Sequence, residues 1–431
     1  MLASTLWTLA ATAATPARTT FRVVADMTQY PQPAGLWQFD PAHFYTVANG
    51  QTVLSVSTSG AVTAVFTPPS GHRIYILPVT APNGRSYTVY SSQGTNYPIS
   101  LADTSGSVRT YAPSGLGAAF VQGLPDGKLF GEGNSPSTDA PYLATGTEDG
   151  AVTPIYQFPA HQAILSPIYA RDGNYYGVAW TGQGPQAGSS YVFRVTPTGA
   201  FTKIADLPNG AFGTGYGGSF FQADDGKFYG TTAALGANGT GTLYQVTPAG
   251  QYTVIYSFGA GATARPGTTF QASDGNFYGV TGGSTGPTSF GEIFQLTKRG
   301  QYTKLRLMKG SKDGACPCWL MQASDGVLYG TASVGGRGGG TIFALDAGLP
   351  KRAPQALSFA PQSGAPGTKV RIWGYNLFQA SVQFNRVSAS GAVSAGPNYV
   401  WATVPRGATS GPIAITTPGG TSNTAASFTV K

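Results

Sequence analysis

Charge is scarce in this 431-residue chain, and acid is scarcer still: charged residues are 10% of it, 17 acids against 25 bases. The formal charge of +8 therefore comes from missing carboxylates rather than from basic clusters. No Lys/Arg run exceeds two, at Lys298-Arg299 and Lys351-Arg352. A stripe able to track a phosphate backbone is lacking, and no nucleic-acid partner is expected. The only cysteines stand at Cys316-Pro-Cys318, with one spacer where metal and redox motifs use two and with no second pair. They read as two half-buried thiols on a strand or, alternatively, as a strained link across one residue. No metal or cofactor is expected. No apolar run is long enough to span a bilayer, so no membrane span is expected. There is no Gly-x-Ser-x-Gly elbow, no His-Glu-x-x-His and no calcium loop. Glycine runs such as Gly335-Gly-Arg337-Gly-Gly-Gly340 sit between strands and open no helix, which excludes a phosphate loop.

What the chain does have is glycine (61), many β-formers and 12% aromatics, the profile of an extracellular all-β protein. One stretch organises it: Gln271-Ala-Ser-Asp274-Gly275-Asn276-Phe277-Tyr278-Gly279. Asp-Gly is a strong hairpin signal, because Gly accepts positive φ and Asp bonds its own backbone. The unit recurs at Asp126-Gly127, Asp172-Gly173, Asp225-Gly226 and Asp325-Gly326, with degenerate copies at Asn83-Gly84 and Pro41-Ala-His43. The aromatic positions Tyr45, Tyr87, Phe130, Tyr176, Tyr229, Tyr278 and Tyr329 are 42 to 53 residues apart. That spacing suits one four-stranded meander per repeat.

Residues 1–18 read as a signal segment. Residues 19–27 read as a lone strand, and the last repeat is one strand short, so the first strand is predicted to complete it. The expected fold is a seven-bladed β-propeller over 19–347, closed by the N-terminal strand; six or eight blades are the alternatives. Residues 348–353 read as a linker. The alternating segments of 354–431 predict a second, immunoglobulin-like β-sandwich.

The core Asp-Gly-x-aromatic-Tyr-Gly, followed by Gly-Thr-x-Tyr/Phe-x-Leu/Val-Thr and a Gly-Gln-Tyr-Thr strand, resembles the GloVer repeats of bacterial exported proteins. The matches are best over Asp225–Phe258 and Asp274–Leu307. The resemblance implies a secreted or surface-attached protein and no particular reaction. The segment Pro354 to Leu377, with Ala380–Phe384, Tyr399–Pro405 and Gly411–Ile415, is similar to the IPT/TIG domain, which implies a spacer or docking module.

The five Asp-Gly aspartates read as turn formers rather than a ligand ring. His72 and His161 each precede a turn by 11 residues, so both enter an innermost strand at one rim, whereas His43 lies in a turn nearer the other rim. Corresponding positions hold Tyr216, Arg265, Lys312 and Asp313. His72, His161, Tyr216 and Arg265 are the candidate catalytic set, if there is catalysis. Trp180, Arg265, Lys312, Asp313 and Arg337 are the candidate ligand-binding residues, on a rim rich in Gly, Ser and Thr. The leading expectation is a monomeric, secreted or cell-surface binding protein for an extracellular glycan or protein. A lyase or hydrolase acting on a polysaccharide is the alternative, and a structural envelope repeat is the third.

Overall fold

A computed structural model describes residues 19–74, 79–81, 83, 86–92, 100–103, 108–110, 117–135, 138, 140–147, 151–181, 188–208, 218–259, 265–282 and 290–431. The signal segment expected at 1–18 lies outside them. Every regular element among the described residues is a strand. Seven antiparallel sheets precede residue 347 and two sheets follow it. The fifth sheet shows the plan: Phe220–Gln222, Phe228–Thr232, Thr242–Val246 and Tyr252–Ser257 pair in chain order. The second departs from it. Its inner strand is broken into His72–Ile74 and Val79–Thr80, both paired with Ser86–Ser92. The seventh takes its fourth strand from the start of the chain: Thr20–Asp26 runs antiparallel to Thr341–Asp346, with Thr20 opposite Asp346.

The repeated residues do three jobs at the turns between first and second strands. Each Asp-Gly aspartate accepts the backbone N–H two residues on, as in Asp225 Oδ1 with Lys227 N at 3.1 Å and Asp274 Oδ1 with Asn276 N at 3.0 Å. In four of the five the other oxygen takes the tyrosine hydroxyl four residues on, at 2.8 Å from Tyr176 to Asp172 and 2.9 Å from Tyr278 to Asp274, while Asp126 is followed there by Phe130. The glycine at the turn has positive φ, 79° at Gly226 and 81° at Gly275, which a side chain would resist.

The paired aromatics follow from strand geometry. Successive side chains point to opposite faces, so each aromatic-Tyr pair sends one ring to each neighbouring sheet. Phe228 reaches back to Tyr176 of the fourth sheet, with ring centroids 4.2 Å apart, while Tyr229 reaches on to Phe277 of the sixth at 4.6 Å. Phe44 meets Tyr329 at 4.5 Å, which joins the first sheet to the seventh. Each such contact contributes about 0.5–1.5 kcal/mol beyond burial. Gly279 follows one such pair. A Cβ there would stand 2.6 Å from the Phe294 ring and 2.8 Å from the Thr268 carbonyl, so the glycine permits the close approach.

A glutamine at the end of the inner strand stitches sheet to sheet. Gln38, Gln222, Gln271 and Gln322 accept through Oε1 the backbone N–H of Ser324, Arg171, Asp224 and Ser273, at 2.8–3.0 Å. Gln122 does the same for Tyr169 of the following sheet at 3.0 Å.

The two C-terminal sheets face each other around Phe359, Val370, Ile372, Val382, Ile413, Ile415 and Phe428. In Lys369–Tyr375, Val370 and Ile372 enter that core, and the alternate residues Arg371, Trp373 and Tyr375 point the other way. They dock on the turn end of the third sheet. Trp373 Nε1 donates to the Gly123 carbonyl at 3.2 Å, Arg371 to the Pro125 carbonyl at 3.1 Å, and the Tyr399 hydroxyl to the Leu124 carbonyl at 2.9 Å. Trp373 is 3% exposed, so the indole is buried between the outer face of its own C-terminal sheet and the end of the third sheet. The connecting residues 348–353 are docked too, with the Pro350 carbonyl accepting from Ser273 Oγ and from Gln322 Nε2 at 3.0 Å.

Candidate functional site

Antiparallel topology puts the starts of the inner strands and the connections between second and third strands at the end opposite the Asp-Gly turns. That loop end holds those residues proposed from sequence that are described. His72 opens the inner strand of the second sheet, opposite Ser92, half-buried, with Nδ1 3.3 Å from the Ser70 carbonyl. His161 is exposed, with φ 62°, and precedes the inner strand Gln162–Tyr169 of the fourth sheet. The third sheet lies between the two in chain order. Arg265 is exposed just before Pro266–Gln271, and its carbonyl accepts from Gly282 N at 2.9 Å. Tyr216 lies outside the described residues, as do parts of the loops at 134–141, 181–190 and 282–290. Trp180 is half-buried near the end of Tyr175–Thr181, paired with Ala163 and Ser190.

Asp313 has a different placement from its neighbour Lys312. Lys312 is exposed. Asp313 is 6% exposed, and its carboxylate receives the Arg306 guanidinium, with Nε at 3.1 Å. Arg306 in turn lies over the Phe21 ring, 4.3 Å from its centroid. The pair spans the sixth and seventh sheets, and removal of either member would leave a desolvated charge. Arg337 is exposed on the turn that carries Gly335 and Gly336. Its backbone N–H donates to Asp26 Oδ2 at 3.0 Å. Burial works against the Asp26 carboxylate, but bonds from Thr28 and Arg337 outweigh it and hold it below the usual range. Gly336 N donates to the Gly310 carbonyl at 3.1 Å, which ties the Arg337 turn to the loop bearing Lys312. The structure thus brings two cations, Lys312 and Arg337, onto joined loops.

The cysteines stand on the inner strand Ala315–Gln322, and no disulfide joins them. Cys318 Sγ lies 3.3 Å from Thr331 Oγ1, and burial pushes its thiol pKa up. Among the described residues no group of three or more His, Cys, Asp and Glu side chains is placed to hold a metal ion. The stitching glutamines were not singled out from the sequence. Their signal was the fixed position of Gln222, Gln271 and Gln322, three residues before each Asp-Gly aspartate.

The comparisons with known proteins agree with this architecture. Residues 163–368 match the Gloeobacter/Verrucomicrobia repeat. The match therefore runs from the fourth sheet through the seventh, apart from its N-terminal strand Thr20–Asp26, and into the first strands after it. No curated protein sequence matches the chain significantly. Among solved structures, a streptogramin B lyase is 16% identical, with a TM-score of 0.54 over 76% of this chain and 97% of that one. A catalytically inactive virginiamycin B lyase from Staphylococcus aureus with quinupristin is 13% identical, with a TM-score of 0.55 over 76% and 99%. The WD40 propeller domain of Doa1 is 12% identical, with a TM-score of 0.50 over 76% and 97%. Likeness at this identity establishes the fold, an all-β propeller, and leaves the chemistry to the side chains. No helix among the described residues is long and apolar enough to cross a membrane.

Proposed function

We propose that this is an exported, monomeric binding protein: a seven-bladed propeller closed by its first strand, with an IPT/TIG-like sandwich as a docked spacer. Its loop end recognises an extracellular glycan. The observation that carries the reading is the asymmetry of the ring. The C-terminal sheets dock on the turn end through Trp373, Arg371 and Tyr399, so the opposite end is the one left uncovered for a large partner. The polar side chains there, Arg265, Lys312, Arg337 and His161, are exposed. Small-residue loops beside a few cations and aromatic groups suit a hydroxyl-rich ligand. The acid–base alternative would need His72 and His161 to act on one substrate. They stand on the second and fourth sheets, and the His72 ring faces a backbone carbonyl.

A glycan array with the full chain tests this, run beside Arg265→Ala, Lys312→Ala, His72→Ala and His161→Ala. Binding that falls at least tenfold in the arginine and lysine variants, with glycans recovered intact, is expected. Shortened or unsaturated glycans that disappear in either histidine variant would overturn the reading in favour of a lyase or hydrolase. Absence of any binding would overturn it in favour of a structural array.

A further inference from the structure

A concavity lies at the other end of the ring. Between the turn end of the fourth, fifth and sixth sheets and the segment Pro350–Ala353 lies a cavity of about 550 Å³. That is within the size range of small-molecule sites, about 300–1,000 Å³. Its wall carries three cations, Arg171, Lys351 and Arg352, against one acid, Asp224. Asp224 is already engaged: its carboxylate pairs with Lys298 and accepts from Gln271 Nε2 at 2.9 Å.

Arg352 is the unusual member. It is half-buried, with Nε donating to Gln322 Oε1 at 3.0 Å and a terminal amino group to the Gln271 carbonyl. Its guanidinium carbon stands 5.6 Å from the Phe270 ring centroid. All these partners are neutral, and no carboxylate among the described residues pairs with it. Desolvation alone pushes its pKa down to about 10. A desolvated cation without a counter-ion is costly, and a site that tolerates one is preorganised for an anion. Arg171 spends one amino group on the Ala223 and Asp224 carbonyls, at 3.2 and 3.3 Å. Lys351 is exposed.

The remaining wall suits a sugar ring. Phe221, Phe270 and Tyr375 are half-buried aromatics on it. Gln222 and Gln271 line it beside them with their amides bonded to neighbouring backbone, and Asn376, whose Nδ2 donates to the Ala353 carbonyl at 3.0 Å, offers its amide oxygen. The Tyr375 hydroxyl accepts from Gln122 Nε2 at 3.1 Å, which leaves its own proton to donate. Aromatic faces pack the C–H side of a pyranose, an amide oxygen and a phenol hydroxyl meet its hydroxyls, and an arginine meets a carboxylate with two parallel bonds. We propose that this interdomain cleft binds a carboxylate-bearing sugar, a uronate, with Arg352 and Lys351 on the carboxylate and the aromatic wall on the ring. The site is separate from the loop end, and both domains contribute to it.

Calorimetric titration of the full chain with a uronate trisaccharide and with the corresponding neutral trisaccharide tests the proposal. Binding of the uronate at least tenfold tighter than the neutral sugar, weakened by added salt, is expected. Lys351→Gln and Tyr375→Phe should weaken it about three- to tenfold with the melting temperature unchanged. Arg352→Gln should weaken it more than tenfold, and Arg265→Ala at the loop end should leave it intact, so failure at one end is distinguishable from failure at the other. Equal binding of the two sugars would overturn the proposal. So would preference for an acidic peptide, or no binding by the unaltered chain; an Arg352→Gln variant that only melts earlier would then make the arginine a structural strap.

Discussion

At the turn end, five aspartates make the same backbone bond and a glutamine at one repeated position links each of several sheets to its neighbour. At the loop end, corresponding positions hold His72, His161, Arg265 and Asp313, and no two have the same surroundings. The turn end has one solution repeated, because each sheet must present the same edge to the next. The loop end carries no such constraint, since its residues are not needed to join sheets. Asp313 is the instructive exception: it sits at the variable end yet joins two sheets through Arg306. A side chain's job in this ring follows from whether it faces a neighbouring sheet, more than from which end it occupies.

The comparison can be broken most directly at the docked surface. Trp373→Ala together with Tyr399→Ala removes a buried indole and two bonds to the third sheet, at a cost of about 3–5 kcal/mol. Calorimetry should then show two melting transitions, and one unchanged transition would mean that docking does not differentiate the two ends. Next in size is Gln38→Ala, which orphans the Ser324 N–H at the junction of first and seventh sheets. A loss of about 1–3 kcal/mol in denaturant unfolding is expected. A neutral result would make the glutamine stitch ornamental.

Tyr176→Phe is smaller, about 1 kcal/mol near neutral pH. It also carries a pH signature. Burial first, and then the bond to Asp172, raise the Tyr176 pKa from 10.0 to about 12. The fold therefore favours the neutral phenol. Its contribution is complete below about pH 10 and is lost as pH rises towards 12. Melting curves at pH 8 and pH 11 should converge between the two proteins in alkali; a constant gap would refute the assignment. The smallest effects belong to the loop end. Arg265→Ala and Lys312→Ala should change stability by less than about 0.5 kcal/mol, read from the same melts. A larger loss at either would show that the loop end also carries load.

Much of the ring was legible in the sequence because its signals are local. Asp-Gly turns, the aromatic pair and the repeat spacing need only a few neighbouring residues to be interpreted. The glutamine stitch was harder to read, since a polar residue on an alternating strand looks like any solvent-facing position until the next sheet is in place. Trp373 illustrates the limit further. Alternation along Lys369–Tyr375 marks two faces of a strand but not what the second face meets. The cleft at Arg352 depends on three sheets and a connecting segment converging, and Arg352 itself looked like one half of a short basic pair in a linker. At the loop end the sequence located candidates on strands, and it had no means of pairing Asp313 with Arg306 or of setting His72 against a carbonyl.

The borrowed strand has a consequence during synthesis. Thr20 finds its partner only when Asp346 has been made. At 5–20 residues per second, roughly 15–60 s pass between the two. Through that interval the earliest strand waits with open hydrogen-bonding edges while the intervening sheets form beside it. The last sheet cannot be sealed by any growing chain that stops short of it, so completion of the circle marks the arrival of a whole ring.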